Sequence, residues 1–177
     1  MDSHLGLPVI THEIDRFHST ELVPFRAAID SGAEVIMVAH LLIPSIDPDL
    51  PSSLSSRVVQ DLLREELGFE GVVITDDMTM GAITQHYEIG AAAIHAIKAG
   101  SNIVLIGHEK EKQLLAIKAV TEAVKEGSIS EEMLNDRVYA ILKLKMAYGL
   151  NDEPVGNPDL EALNNKAKGL LEQYGIQ

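Results

Sequence analysis

Hydrophobic residues along the chain occur in two patterns: short continuous runs, and longer stretches in which they recur every third or fourth position. The continuous runs are rich in β-branched residues and predict strands at residues 34–39, 71–75 and 102–106. The longer stretches have the spacing of one helix face and therefore predict helices. These predicted helices cover residues 21–29, 56–67, 90–98, 109–126, 130–148 and 159–173.

Strands that alternate with helices predict an α/β fold with a parallel sheet, in which ligands bind at the carboxyl ends of the strands. Three strands cannot close an eight-stranded barrel, which typically takes about 250 residues. We therefore expect a partial (half) TIM-type (β/α) barrel with about three parallel strands, or a small open sheet, and additional C-terminal helices. Residues 151–158 contain Asn, Pro and Gly, so residues 1–150 are predicted to form the main domain and residues 151–177 a linker and a last helix.

Composition and charge exclude several classes of function for this chain. Acidic residues outnumber basic ones by 27 to 14, and a surface of this sign repels nucleic-acid phosphates and anionic lipids, so no nucleic-acid partner is expected. The chain has no cysteine, which excludes disulfides, thiolate nucleophiles and cysteine-ligated zinc. No apolar run approaches the roughly 20 residues that span a bilayer, so no membrane span is predicted. Cytoplasmic and exported locations are both compatible with the sequence.

Two carboxylates, Asp76 and Asp77, directly follow the second predicted strand. This position presents side chains to substrate in parallel α/β folds. Because side chains alternate along an extended segment, Asp76 lies on the side of Val72 and Ile74, whereas Asp77 lies on the other side. Only one of the two is expected to face a site, and we favour Asp76 as the catalytic group. The alternative use of an Asp after a strand is to cap the next turn, which fits Asp77 better.

Histidines supply the candidates for proton transfer. Asp2 and His4 are two residues apart, so in an extended loop the carboxylate can bond one imidazole nitrogen and leave the other free to exchange a proton. The alternative is a solvated, disordered pair. His40 ends the first predicted strand, where lining the site and a structural role are equal alternatives. Met78 is a further candidate for substrate contact, with packing under the loop as its alternative.

Four stretches carry a more specific signal through their order and spacing. They are DSHLGLP at 2–8, ELVPF at 21–25, VAH at 38–40 and LREELGFEGVVITDDMTM at 63–80. Together they resemble family 3 glycoside hydrolases, in particular the bacterial β-N-acetylglucosaminidases of cell-wall turnover. The resemblance covers residues 1–150, and its longest stretch, which ends a strand in Thr-Asp-Asp, is highly specific.

The resemblance implies a reaction and a role for each candidate. Asp76 matches the family's nucleophile, and Asp2 with His4 matches its Asp-His dyad, in which the histidine is the general acid/base on a mobile loop. The implied reaction is hydrolysis of terminal β-linked N-acetylglucosamine from peptidoglycan fragments, by a retaining mechanism with a covalent glycosyl-Asp76 intermediate. It needs no metal and no organic cofactor. Retaining glycosidases normally pair two carboxylates about 5–5.5 Å apart, so a histidine in the second role departs from the general pattern.

The resemblance also leaves parts of the family unmatched. The family's Lys-His-Phe-Pro-Gly-His-Gly segment and its early-strand Asp and Arg have no counterpart, which implies the C-terminal half of the barrel. Asn102 stands where the family often has an acidic residue. Two alternatives to a hydrolase are open. One is a glycoside phosphorylase, because a neutral histidine repels an incoming phosphate less than a carboxylate does. The other is a non-catalytic half-barrel that assembles with itself or with a missing N-terminal half.

Overall fold

The computed structural model describes residues 2–154 and 156–175 and confirms an α/β fold, with helices packed around a short parallel sheet. The strands are β1 (Val35–Val38) and β2 (Val72–Thr75). The α-helices are α1 (Ile14–Arg16), α2 (Val23–Asp30), α3 (Gly81–Thr84), α4 (Ile89–Ala99), α5 (Lys110–Lys125), α6 (Glu131–Ala147) and α7 (Leu160–Gln173). Two π-helical segments, Phe17–Glu21 and Arg57–Glu66, and a 3-10 turn, Ser52–Leu54, complete the described elements.

The sheet is smaller than the sequence predicts. β1 and β2 pair in parallel, with Val35 beside Val72, but residues 102–106 join β2 through a single parallel bridge between Ile74 and Ile103. The predicted third strand is therefore not formed as a ladder in the described structure.

Side chains explain the missing ladder. The amide of Val73 donates to Oδ1 of Asn102 (2.8 Å), and the amide of Leu105 donates to Oγ1 of Thr75 (3.1 Å). Two positions that a strand ladder would fill with backbone carbonyls are thus filled by side-chain oxygens. The segment still lies along β2, because the Thr75 amide donates to the Ile103 carbonyl (3.1 Å).

The predicted helices are present, with ends that differ by a few residues. The predicted helix at 56–67 is π-helical over Arg57–Glu66, and Gly68 ends it in a left-handed conformation with φ of 68°. Ser130 caps α6 by accepting the Met133 amide (3.1 Å). No periodic pattern in the sequence predicts α1, α3 or the 3-10 turn, since each is a single short turn.

The two faces of the sheet have different surroundings. Val38 and Val73 face the helices and form a buried cluster with Val59, Leu63, Phe69 and Ala99. On the opposite face, Val35 and Met37 are 47% and 51% exposed. Val72 shares that face but is buried, because α6 contacts β2. This face of the sheet is therefore open along β1 and covered at the start of β2.

The C-terminal segment is separate from this core. In α7 no described side chain is buried, and residues 149–154 and 156–159 are exposed as well. No helix in the described ranges is both long and apolar enough to cross a membrane.

Candidate active site

Asp76 directly follows β2, and hydrogen bonds hold both its backbone amide and one oxygen of its side chain. Its amide donates to the Val38 carbonyl of β1 (3.0 Å), which continues the sheet by one bond. Its Oδ1 accepts the amide of Asp77 (2.8 Å). Within residues 2–154 and 156–175 the carboxylate accepts no other hydrogen bond, and the residue is only half-buried. One carboxylate oxygen is thus oriented by the chain, and the other is uncommitted.

Asp77 holds the loop together. Its Oδ1 accepts the amide (2.9 Å) and hydroxyl (2.8 Å) of Thr79, and its Oδ2 accepts the amide of Gly107 (3.2 Å). Burial raises the pKa of Asp77, but these hydrogen bonds outweigh it and hold the pKa below its usual value. A Cβ at Gly107 would lie 2.7 Å from Oδ2, so the approach requires glycine. Asp77 therefore caps its own turn and ties it to the loop after residues 102–106.

The Asp2-His4 pair forms, and its loop is docked on α3. Oδ1 of Asp2 accepts the His4 amide (3.0 Å) and lies 2.8 Å from Nδ1 of His4. The hydrogen bonds from the His4 amide and ring lower the pKa of Asp2. The amides of Gly81 and Ala82 donate to the carbonyls of His4 (3.2 Å) and Ser3 (3.1 Å). Both members of the pair are largely exposed, which leaves Nε2 of His4 open to solvent.

Helix α3 begins five residues after Asp76, so the loop that carries His4 borders the segment that carries Asp76. The contact is close, because a Cβ at Gly81 would lie 2.6 Å from the His4 carbonyl oxygen. The structure therefore brings the predicted nucleophile and the predicted acid/base to one edge of the sheet, at the carboxyl ends of the strands.

His40 and Met78 lie behind this edge. The His40 ring is fully buried, with Nδ1 at 2.6 Å from the Ser53 hydroxyl and Nε2 at 3.1 Å from the Asp77 carbonyl. Burial lowers the pKa of His40, against the raising effects of the Asp77 hydrogen bond and of the two nearby carboxylates. Met78 is fully buried against Leu54 and Ile83. Their contacts with substrate stay predictions, and here both side chains support the loop from inside.

The structure adds Ser53 and the segment 107–109 to the site. Ser53 lies in a stretch rich in Ser and Pro, and the four closely spaced serines at 52, 53, 55 and 56 are the sequence signal that could have indicated it. Glu109, before α5, has φ of 60°, an uncommon backbone conformation for a residue other than glycine. The neighbouring His108 is exposed and near enough to lower the pKa of Asp77. Within the described residues no group of three or more His, Asp and Glu side chains could hold a metal ion.

A half-open α/β sheet with a strand-end carboxylate and a neighbouring Asp-His pair is an arrangement suited to glycoside cleavage. The model of the glycosyl hydrolase family 3 N-terminal domain matches residues 1–144. The chain belongs to glycosyl hydrolase family 3.

Individual proteins similar to this chain in sequence or in structure are consistent with its membership of the family. A beta-hexosaminidase of Stenotrophomonas maltophilia strain K279a is 41% identical over 109 residues, which are 60% of this chain and 32% of the relative. A family 3 beta-N-acetylglucosaminidase structure from Paenibacillus sp. strain FPU-7 superposes with a TM-score of 0.84 at 40% identity, over 90% of this chain and 31% of that one. The structure of beta-glucoside phosphorylase BglX gives a TM-score of 0.80 at 27% identity, over 91% and 30%. The chain thus spans about a third of each.

Proposed function

We propose that this chain carries the nucleophile and the acid/base of a retaining β-N-acetylglucosaminidase, and that its glycan substrate is a peptidoglycan fragment with a terminal N-acetylglucosamine. The observation that carries the proposal is Asp76, which stands at the end of β2 with one carboxylate oxygen held and the other uncommitted. The names of the relatives, a beta-hexosaminidase and a beta-N-acetylglucosaminidase, support the substrate class.

The proposed reaction has two steps. In the first, Asp76 attacks the anomeric carbon while the His4 imidazolium gives its Nε2 proton to the departing glycosidic oxygen, and a glycosyl-Asp76 ester forms. In the second, neutral His4 takes a proton from water, and the resulting nucleophile attacks the same carbon and releases the sugar and the Asp76 carboxylate. Asp2 holds Nδ1 of His4 at 2.8 Å and so aims Nε2 outward.

The intermediate provides the direct test. A fluorinated N-acetylglucosaminide that is turned over slowly should accumulate on the enzyme, and peptide mass spectrometry should find the sugar on the peptide that contains Asp76. Label on another residue would overturn the assignment.

A phosphorylase is the second candidate, favoured by the similarity to beta-glucoside phosphorylase BglX. Phosphate would replace water in the second step, and a neutral histidine would repel it less than a carboxylate. Product analysis with and without phosphate separates the two, because only phosphorolysis yields a sugar 1-phosphate.

We further propose that residues 1–150 form the C-terminal half of a barrel domain and that its open face is covered by a second copy or by an N-terminal half. The exposed side chains of Val35 and Met37 support this. An apolar groove of 460 Å³ lies beside β1, and another of 560 Å³ lies between residues 102–106 and α5. If the assembly proves inactive, the chain is the non-catalytic half-barrel.

A further inference from the structure

The turn Ser52–Leu54 brings hydroxyl groups into the core of the protein. Ser52, Ser53 and Ser55 are all buried, and each hydroxyl has a defined partner. Ser52 donates to the Ala39 carbonyl (2.6 Å), and Ser55 donates to Oδ2 of Asp47 (2.5 Å). Ser53 differs from both, because its partner is a ring nitrogen of His40.

The partners of His40 determine where its proton lies. The Asp77 carbonyl can only accept, so Nε2 of His40 must carry the hydrogen. In a neutral ring Nδ1 then has only its lone pair, and the Ser53 hydroxyl must donate to it. Burial favours this neutral form. Ser53 therefore selects the tautomer in which His40 can hold the Asp77 carbonyl.

The hydrogen bond from His40 Nε2 to the Asp77 carbonyl is the second of two contacts that hold the backbone around Asp76 and Asp77. The backbone on the strand side is held where the Asp76 amide meets the Val38 carbonyl, and on the loop side where His40 meets the Asp77 carbonyl. The Asp77 amide, which donates to Asp76 Oδ1, lies between these two points. A shift of the Asp77 backbone would therefore turn the Asp76 carboxylate.

We propose that Ser53 and His40 are positioning residues: Ser53 fixes the tautomer of His40, and His40 fixes the backbone that aims the Asp76 carboxylate. The inference rests on the proposed function, in which Asp76 is the nucleophile. Both residues are fully buried, so in this proposal they act on Asp76 through the backbone.

The chain offers a matched control in Ser55→Ala, which removes a buried hydroxyl from the same turn without touching His40. Nitrogen NMR of the full chain should show a single Nε2-protonated neutral tautomer for His40 in the parent and in Ser55→Ala. Ser53→Ala should give a mixture of tautomers. Exchange of the Asp77 amide should accelerate about tenfold in Ser53→Ala, the factor expected for one lost buried hydrogen bond. Ser55→Ala should leave that exchange rate within twofold of the parent.

Turnover gives the second readout, in the assembled form in which glycosidase activity is measured. Ser53→Ala should lower kcat about tenfold with little change in KM, because the carboxylate is misaimed while sugar binding is kept. His40→Gln keeps an amide donor for the Asp77 carbonyl and should retain more activity than His40→Leu.

The possible outcomes distinguish failure of the positioning proposal from failure of the proposed function. Equal rates of Asp77 amide exchange in Ser53→Ala and Ser55→Ala would show that Ser53 does not help His40 to hold the Asp77 carbonyl, whatever the activity. That result would overturn the proposal. Accelerated Asp77 exchange in Ser53→Ala without any loss of kcat would overturn the positioning role. A glycosyl label on a residue other than Asp76 would overturn the proposed function while the exchange result still stood.

Discussion

The amide of Asp77 donates a 2.8 Å hydrogen bond to the side chain of its predecessor, Asp76, while the carboxylate of Asp77 itself is taken up by Thr79 and Gly107. Two adjacent acids of the same type thus have separate tasks. The first has an oxygen available for chemistry, and the second holds the loop. This division predicts opposite outcomes for the same substitution at the two positions.

Asp76→Asn should lower turnover by about 10⁴-fold or more in any active form, because an amide cannot form the glycosyl ester. The thermal midpoint should change little, since the Asn carbonyl oxygen can still accept the Asp77 amide. Asp77→Asn should do the reverse: turnover falls only about tenfold, and the midpoint falls because the contact with Gly107 loses its charged acceptor. Steady-state kinetics and thermal unfolding of both variants check this, and a greater loss of turnover in Asp77→Asn would contradict it.

His4→Ala should discriminate between leaving groups. Substrates with poor leaving groups need the proton and should slow by about 10²–10⁴-fold, whereas activated aryl glycosides should slow much less. Asp2→Asn should give a milder version, because it loosens the ring that Oδ1 of Asp2 holds. His95→Ala, on the exposed face of α4, serves as the control. Equal losses on both substrate classes would argue against an acid role.

The open inner face should make the 177-residue chain self-associate and leave it inactive, or nearly so, by itself. Each exposed core side chain that becomes buried contributes about 1.5–3 kcal/mol, so several of them rival a domain's net stability of about 5–15 kcal/mol. Light scattering should therefore detect a dimer or larger assembly at micromolar concentration.

Met37→Lys places a charge on this face and should weaken assembly, whereas Met146→Lys, which lines neither groove, should not. Addition of an N-terminal barrel half should restore turnover of a chromogenic N-acetylglucosaminide. A compact, stable monomer, or full activity of the chain by itself, would refute the half-barrel argument.

Asp47 should make the protein labile to acid. Burial raises the pKa of Asp47, but the Ser55 hydroxyl and the amides of Asp49 and Leu50 outweigh it and lower the pKa. A carboxyl whose folded pKa lies below its unfolded value of about 3.8 stabilises the fold above that pH. The contribution is lost as pH falls from there through the folded pKa. Asp47→Asn should therefore flatten the acid limb of the stability curve, and the exposed Asp49→Asn should not. Urea unfolding at pH 2–7 measures both.

Asn102→Asp should stabilise the chain. Oδ1 of Asn102 accepts from Arg64 (2.7 Å) and from the Val73 amide (2.8 Å), whereas its Nδ2 donates only a long hydrogen bond to the Arg137 carbonyl (3.4 Å). A carboxylate would meet the Arg64 and Val73 donors with a negative charge, at about 1.5–3 kcal/mol per charged hydrogen bond before the cost of burial and of the lost bond to the Arg137 carbonyl. Asn102→Ala should instead lower the thermal midpoint. A midpoint for Asn102→Asp below that of the parent would contradict the prediction.

Most of the helices and both strands could be predicted from the sequence, because their signals are local. Val72–Thr75 is a continuous β-branched run, and the apolar positions of 56–67 fall on one face. The missing ladder at 102–106 could not be foreseen, since it depends on side chains of Asn102 and Thr75 that replace backbone partners only after folding.

The same reason limits prediction of the site. Asp76 is located by its own strand, which the sequence reveals directly. The burial of His40 depends on Ser53, thirteen residues further along the chain. The docking of His4 depends on Gly81, which is more distant still. Contacts over such separations leave no periodic signal in the sequence.

The way the N-terminal loop is docked has a consequence for protein engineering. Gly81 and Ala82 donate only to the main-chain oxygens of His4 and Ser3, so these two docking bonds do not depend on the imidazole of His4. An acidic residue could therefore replace His4 while these docking bonds are kept. A carboxylic acid would then be the proton donor in place of the imidazole. The position that tolerates no such exchange is Gly81, where even a methyl group would collide with the loop.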